Sequence, residues 1–182
     1  MVKEGYEADD IIGTIAKKAK QKNLKTYMVT PDKDFAQLVE KDIYMYRPVF
    51  GGGYETWGID EVLKKFEINK TSQVIDFLAM KGDSVDNIPG LPGVGDKTAK
   101  KFISQFGSLE GLFENTDQLK GKIKEKVEQN KQLGILSKTL ATIITDVPLN
   151  FKIEDFKLSV HELEETKNSV SYTHLTLPTT YT

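Results

Sequence analysis

The chain has 182 residues, of which 38% are hydrophobic and 29% charged, with no cysteine and a formal net charge of -2. That length holds one domain, or one domain with a small appendage, and the missing cysteines exclude disulfides, thiol catalysis and cysteine-ligated zinc, as suits a reducing cytoplasm. No apolar run is long enough to span a membrane, the first five residues have no apolar signal core, and a near-neutral balance leaves binding partners to be decided by where each sign of charge sits.

In chain order, residues 7–20 read as a helix. Ile11, Ile12, Ile15, Ala16 and Ala19 recur at helical spacing, carboxylates stand at its start and lysines at its end. Residues 26–30 form a short strand rich in β-branched and aromatic side chains. Pro31 breaks it, Asp32-Lys33-Asp34 follows, and a helix is predicted over 35–39. Residues 43–49 alternate like a strand, and Gly51-Gly52-Gly53 turns the chain into a hairpin or loop. A short helix over 61–66 closes a helix–strand–helix–strand order that points to an α/β layer with a mostly parallel sheet, which is either very small or lacks its beginning. Helices are then predicted over 71–81, 96–105, 109–113, 123–129 and 133–143, and the pattern weakens after Val147-Pro148. From about Ser169 the sequence has no charge and no helical period. It resembles a translated sequencing adaptor, so residues 170–182 are set aside as a non-native tail.

Three carboxylate clusters fall at the ends of these elements: Glu7, Asp9 and Asp10; Asp32 and Asp34; Asp83 and Asp86. The last two are three residues apart at a helix–loop junction, a spacing that lets them face the same way. Hard cations such as Mg²⁺ take oxygen ligands and keep several waters. Two such ions about 4 Å apart clamp the attacking and leaving oxygens of a phosphodiester, and many carboxylates are needed to balance them. Each cluster also has a plain structural reading. Glu7 and Asp10 complement a helix dipole, Asp32 and Asp34 cap the next helix, and Asp83 and Asp86 are turn residues.

The segment from Gly90 to Ala99 is more telling. Gly90, Gly93 and Gly95 precede a helix that carries Lys97, Lys100 and Lys101. Glycine allows positive φ and close backbone approach, N–H groups at a helix start face an anion, and lysines add charge without base specificity. Val94 lies between the glycines, and Thr98 and Ala99 are small enough for helices to pack closely. This suits a nucleic-acid backbone held without sequence preference; the structural alternative is a turn with solvated lysines.

Gly5-Tyr6-Glu7-Ala8-Asp9-Asp10, Thr30-Pro31-Asp32-Lys33-Asp34-Phe35-Ala36-Gln37-Leu38 and Gly82-Asp83-Ser84-Val85-Asp86-Asn87-Ile88-Pro89-Gly90 resemble three consecutive signature motifs of the 5′-3′ exonuclease domain of bacterial DNA polymerase I. Flap endonucleases are more distant relatives. Residues 89–102 are similar to that family's helix–hairpin–helix, and the resemblance covers about 2–158. It implies a partial PIN-like parallel sheet with flanking helices over 1–70, a mainly helical region with the helix–hairpin–helix over 71–150, and a linker or domain end over 151–169. It implies Glu7, Asp9 and Asp10 at a first metal site and Asp32, Asp34, Asp83 and Asp86 at a second, with Asp9, Asp10, Asp32 and Asp34 catalytic. It also implies two or more Mg²⁺ or Mn²⁺ ions, K⁺ at the hairpin, and duplex phosphates gripped by Gly90, Gly93, Val94, Gly95, Lys97, Thr98, Lys100 and Lys101. The reaction expected is hydrolysis of DNA at a 5′ end, nick or flap, by a monomer in the bacterial cytoplasm at the nucleoid.

The sequence departs from the family in lacking its early metal-binding Asp and the helical arch before Met1, and the polymerase domains after the tail. The expectation is therefore a fragment that binds DNA but cleaves weakly, with an exposed sheet edge. Two alternatives stand beside this one. One is a helix–hairpin–helix binding module without catalysis. The other is a phosphatase that uses Asp32 as nucleophile at the end of a strand.

Overall fold

The computed structural model describes residues 1–156. The expected non-native tail and most of the 151–169 stretch lie outside the described residues. Residues 1–149 make one compact unit. In the second unit, Ile153–Phe156 form a 3₁₀ turn, with the Phe151 and Phe156 rings edge-on at 5.3 Å.

Helix α1 spans Ala8–Gln21, with Asp9 and Asp10 in its first turn and Lys18 and Lys20 in its last, the charge order the helix dipole favours. Its buried stripe is Asp10, Ile11, Gly13, Thr14, Ala16 and Ala19. Ile12, expected on that stripe, is exposed. Gly13 is needed there because a β carbon would meet Ile143 at 3.0 Å and Leu38 at 3.2 Å, so the chain after the last helix packs directly on α1.

The sheet has three strands: β1 (Thr26–Val29), β2 (Ile43–Pro48) and β3 (Tyr54–Trp57), in that spatial order. β1 pairs parallel with β2, with Thr26 opposite Ile43. β2 pairs antiparallel with β3, with Met45 opposite Trp57. The glycines at 51–53 all have positive φ, which turns the β2–β3 connection into a hairpin. The sheet is therefore mixed. Met28, Ile43, Met45 and Trp57 face the core, while Tyr27, Val29, Tyr46 and Tyr54 are exposed on the other face, where Tyr27 stacks on Tyr44 and Tyr46 on Tyr54.

The helix predicted over 35–39 is a 3₁₀ turn at Lys33–Leu38. Asp32 Oδ1 accepts from the Asp34 N–H at 2.9 Å and starts it two residues early. Six residues with a buried Phe35-Ala36 corner are too short for an α-helix to propagate.

Among the described residues six α-helices follow: α2 (Ile59–Phe66), α3 (Gln73–Lys81), α4 (Asp96–Phe106), α5 (Leu109–Glu114), α6 (Gly121–Gln129) and α7 (Lys131–Ala141). α3 is the hub. Val74, Phe77, Leu78, Ala79 and Met80 are all buried, and its buried Asp76 accepts from the Leu109 N–H at 3.1 Å and from Lys138 Nζ at 2.7 Å. These bonds tie α5 and α7 to it. Apolar side chains of the sheet and of the helices share one continuous core. Among the described residues no helix is long and apolar enough to cross a membrane.

Candidate metal centre and nucleic-acid interface

Three separate stretches of chain deliver their carboxylates to one basin of about 770 Å³. Glu7, Asp9 and Asp10 come from the start of α1, Asp32 and Asp34 from the N-cap and first turn of the 3₁₀ turn after β1, and Asp86 from the loop after α3. Asn87, Ile88 and residues 140–143 complete the wall.

The six acids are held in different ways. Asp10 Oδ1 accepts from the Ile144 N–H at 2.8 Å, and Asp10 Oδ2 accepts from the Glu7 N–H at 3.1 Å. Both oxygens of Asp10 thus accept backbone N–H groups, a role beyond the dipole reading, which anticipated only its place in the first turn of α1. One oxygen of Asp32, Oδ1, accepts from the Asp34 N–H, as the capping reading anticipated. Asp34 is different. It is 8% exposed, its Oδ1 accepts no hydrogen bond, and the Lys33 ammonium stands 3.6 Å from that oxygen. Burial, opposed by Lys33 and reinforced by Asp32, Asp86 and Asp83, pushes the Asp34 carboxyl up to about 6. Burial and the charges of Asp32, Glu7, Asp10 and Asp86 likewise raise Asp9. These acids repel one another and lack positive charge.

Asp83 departs from expectation, because it does not line the basin with Asp86. The chain leaves α3 at Gly82 and bends, so the three-residue helical spacing does not apply. Asp83 Oδ1 accepts from the Val85 N–H at 2.9 Å, and its Oδ2 takes a charge-assisted bond from Lys33 Nζ. That bond and the Val85 N–H hold the Asp83 carboxyl below its usual range. Against the cost of burial, the same bond raises Lys33.

Among the described residues no three His, Asp or Glu side chains stand close enough, as they are, to hold one ion. The donor chemistry nonetheless fits a hard divalent cation. The donors are all oxygen, one is a buried oxygen without a hydrogen-bond donor, and a cation that keeps its own waters needs only one or two direct carboxylates.

The hairpin leaves the basin wall at Asn87 and Ile88. Gly90 and Gly93 have φ of 67° and 85°. Gly95, the N-cap of α4, is extended at φ -99°, and a β carbon there would meet nothing. The turn is anchored by the Leu91 N–H to Met80 O at 2.9 Å and by the Gly90 N–H to the buried Ser137 Oγ at 2.9 Å. Val94 is buried, Thr98 half-buried, and Gly95, Lys97 and Lys101 exposed. Lys100 is turned elsewhere, to Glu67 at 2.9 Å and Asp96 at 3.2 Å.

Residues that the sequence reading missed include Lys33, quoted within a motif but given no role, and Gln37. Gln37 Nε2 donates to Ala141 O at 2.9 Å and its Oε1 accepts from the Ile143 N–H at 3.0 Å, which fixes the wall opposite Asp34. Only the Gln37 position within the second motif could have signalled this.

Residues 1–67 match the family described as 5′-3′ exonuclease, N-terminal resolvase-like domain, and residues 69–164 match 5′-3′ exonuclease, C-terminal SAM fold. The chain is 40% identical over 157 residues to DNA polymerase I of Caldicellulosiruptor bescii, covering 85% of this chain and 18% of that protein. It is 42% identical over 152 residues to DNA polymerase I of Bacillus subtilis, covering 82% and 17%. It therefore spans under a fifth of the length of these relatives. Among solved structures, a T5 5′-exonuclease variant superposes with TM-score 0.67 at 23% identity over 80% of this chain and 58% of that one. A T5 5′-exonuclease described with bound divalent zinc ions gives 0.68 at 23% identity, over 80% and 53%. The catalytic core of Rad2 in complex with DNA substrate gives 0.57 at 18%, over 88% and 56%.

Proposed function

The chain belongs to the 5′-3′ exonuclease family, and from that premise we propose that its acidic basin binds divalent cations for hydrolysis of DNA phosphodiesters at 5′ ends or 5′ flaps. One observation carries the reading: acids from three motifs meet in one basin whose wall continues, through Asn87 and Ile88, into a glycine-rich hairpin and a lysine-bearing helix. Residues 1–70 supply Glu7, Asp9, Asp10, Asp32 and Asp34, and residues 71–150 supply Asp86 and the hairpin. The relatives described with divalent metal ions and with DNA substrate support the same reading.

Bound Mg²⁺ or Mn²⁺ would supply activation of water and neutralise charge on the scissile phosphate. Asp34, with its free buried oxygen, and Asp9 are the acids best placed to ligate. Asp10, both of whose oxygens accept backbone N–H groups, and Asp32, whose Oδ1 does, hold the site's shape and ligate with their remaining lone pairs. Asp83 enters through Lys33. The exposed N-cap of α4, with Lys97 and Lys101 beside it, offers N–H groups and charge to duplex phosphates. The partner proposed is DNA, and the place of action proposed is the bacterial cytoplasm at the nucleoid. The family assignment sets aside the phosphatase reading of Asp32.

Isothermal titration of Mn²⁺ into the chelated protein, with and without Asp34→Asn, tests the metal reading. Binding that the variant loses supports it. If wild type and variant bind alike, the basin is not the metal site. A parallel assay with 5′-labelled flap duplex separates a nuclease, which releases product only with the ion, from a binding module, which retains the duplex uncut.

A further inference from the structure

Gln37 follows Asp34 in the same 3₁₀ turn, and its side-chain amide bonds backbone on every side. Nε2 donates to Asp34 O at 3.0 Å within the turn and to Ala141 O at 2.9 Å, while Oε1 accepts from the Ile143 N–H at 3.0 Å. Both amide protons are thus used. The orientation of the amide is fixed, because the reverse one would set its oxygen against two carbonyl oxygens. Ala141 is the last residue of α7, so its C=O is one of those that a helix end leaves unpaired.

The next residue carries the connection to a second acid. The Ile144 N–H donates to Asp10 Oδ1 at 2.8 Å, so the N–H that Gln37 holds and the N–H that holds Asp10 belong to neighbouring residues. Asp34 is joined to Gln37 directly, through its own carbonyl. One amide therefore ties the acid of α1 and the acid of the turn to a single stretch of chain after α7. Apolar packing brings these pieces together, because Leu38 and Ile143 both close on α1 at Gly13. Such packing has no direction. The register in which the pieces meet is set by hydrogen bonds, which do.

We propose that Gln37 is a positioning residue for the divalent-cation site, whose amide sets the spacing of Asp34 and Asp10 across the basin. The proposal rests on the metal reading of that basin. Gln37 itself is not among the residues that line it, so the side chain acts through the acids and not on the ion. The residue type fits this role. The frame offers one N–H and two C=O groups, and an amide meets both kinds at once. A carboxylate would have no proton for the two carbonyls, and a lysine would have no acceptor for the Ile143 N–H. An amide is also neutral. It adds no further acid to carboxylates that already repel one another, and no cation to compete with the ion.

The test is isothermal titration of Mn²⁺ into the full, metal-stripped chain, with the electron paramagnetic resonance spectrum of the bound ion read on the same samples. Gln37→Met keeps the length of the side chain and removes all three hydrogen bonds. Gln37→Asn keeps an amide that is one methylene short, and it decides the matter if Gln37→Met unfolds. Val127→Ala serves as the stability control, because it opens a cavity at a fully buried site in α6 and touches no residue of the basin. Each Gln37 variant is expected to weaken Mn²⁺ binding about tenfold or more and to change the zero-field splitting of the bound ion, while Val127→Ala keeps both at wild-type values. Wild-type affinity and spectrum in folded Gln37→Asn would overturn the positioning role and leave the metal reading standing. An equal loss in Val127→Ala would overturn it too, since the amide would then act through stability alone. Absence of Mn²⁺ binding by the wild-type chain would overturn both readings.

Discussion

Gly82 and Gly90 lie backbone against backbone. A β carbon on Gly82 would come 2.9 Å from Gly90 N, and one on Gly90 would come 2.6 Å from Gly82 N. Both residues also have positive φ. This contact seats the hairpin on the end of α3 and turns Asp83 away from the helix axis. Gly90→Ala is therefore expected to cost on the order of 3 kcal/mol, from left-handed strain plus main-chain overlap that cannot relax. Gly95→Ala, extended and open on its Cβ side, should cost only about 0.5–1 kcal/mol, the loss of a glycine N-cap. Thermal melts of the two variants check the contrast, and equal melting temperatures would contradict it.

The second anchor of the same hairpin is Ser137. Its fully buried hydroxyl accepts from the Gly90 N–H and donates to Leu133 O at 2.7 Å. Ser137→Ala leaves Gly90 N–H as an unmet buried donor, at a cost of about 1–3 kcal/mol. Hydrogen exchange should show the amides of residues 90–94 opening faster while those of α1 keep their protection. Uniform loss of protection across the chain would show that Ser137 supports the whole fold rather than the hairpin.

Asp34 gives a pH signature. Its folded pKa of about 6 lies above the ordinary value of 3.8, so the folded state binds its proton more tightly than the unfolded chain does. Ionising it costs stability. The penalty is absent below about pH 4, grows through the window between the two values, and is complete above about pH 6. In chelator, Asp34→Asn should match wild type near pH 4 and exceed it at pH 7.5 by on the order of 2 kcal/mol. Added Mn²⁺ should raise the melting temperature of wild type and not of the variant. A stability difference that is flat with pH would mean Asp34 is not the strained acid.

The motifs made the acidic clusters and the hairpin legible, because glycines, prolines and carboxylates act locally and stand close together in the chain. What they do after folding was less legible. Asp83 and Asp86 look equivalent in sequence, yet Gly82 at positive φ breaks the helical phase between them. Ile12 has the right spacing for the core, but Gly13 and Thr14 take the buried side because the chain at 143–147 packs there, with the Val147 N–H donating to Thr14 Oγ1 at 3.1 Å. Contacts across more than a hundred residues leave no local pattern. The mixed sheet was half legible: the three glycines announced a turn, and the strand pairing that followed reversed the direction of β3.

Lys33 supplies the last prediction. Its ammonium bonds Asp83 and stands 3.6 Å from the unpartnered oxygen of Asp34, so it already provides part of the positive charge that the basin lacks. A divalent cation arriving at Asp34 meets a like charge there. A full charge pair at this separation is worth several kcal/mol near a protein surface, but the Lys33 side chain is 38% exposed, and screening leaves about 1 kcal/mol. Lys33→Met should therefore tighten Mn²⁺ binding roughly fivefold by titration calorimetry. It should also remove the bond that holds Asp83 below its usual range, so the Asp83 carboxyl, followed by NMR, should titrate at higher pH. Weaker metal binding in Lys33→Met would mean that the lysine positions the acids rather than competing with the ion.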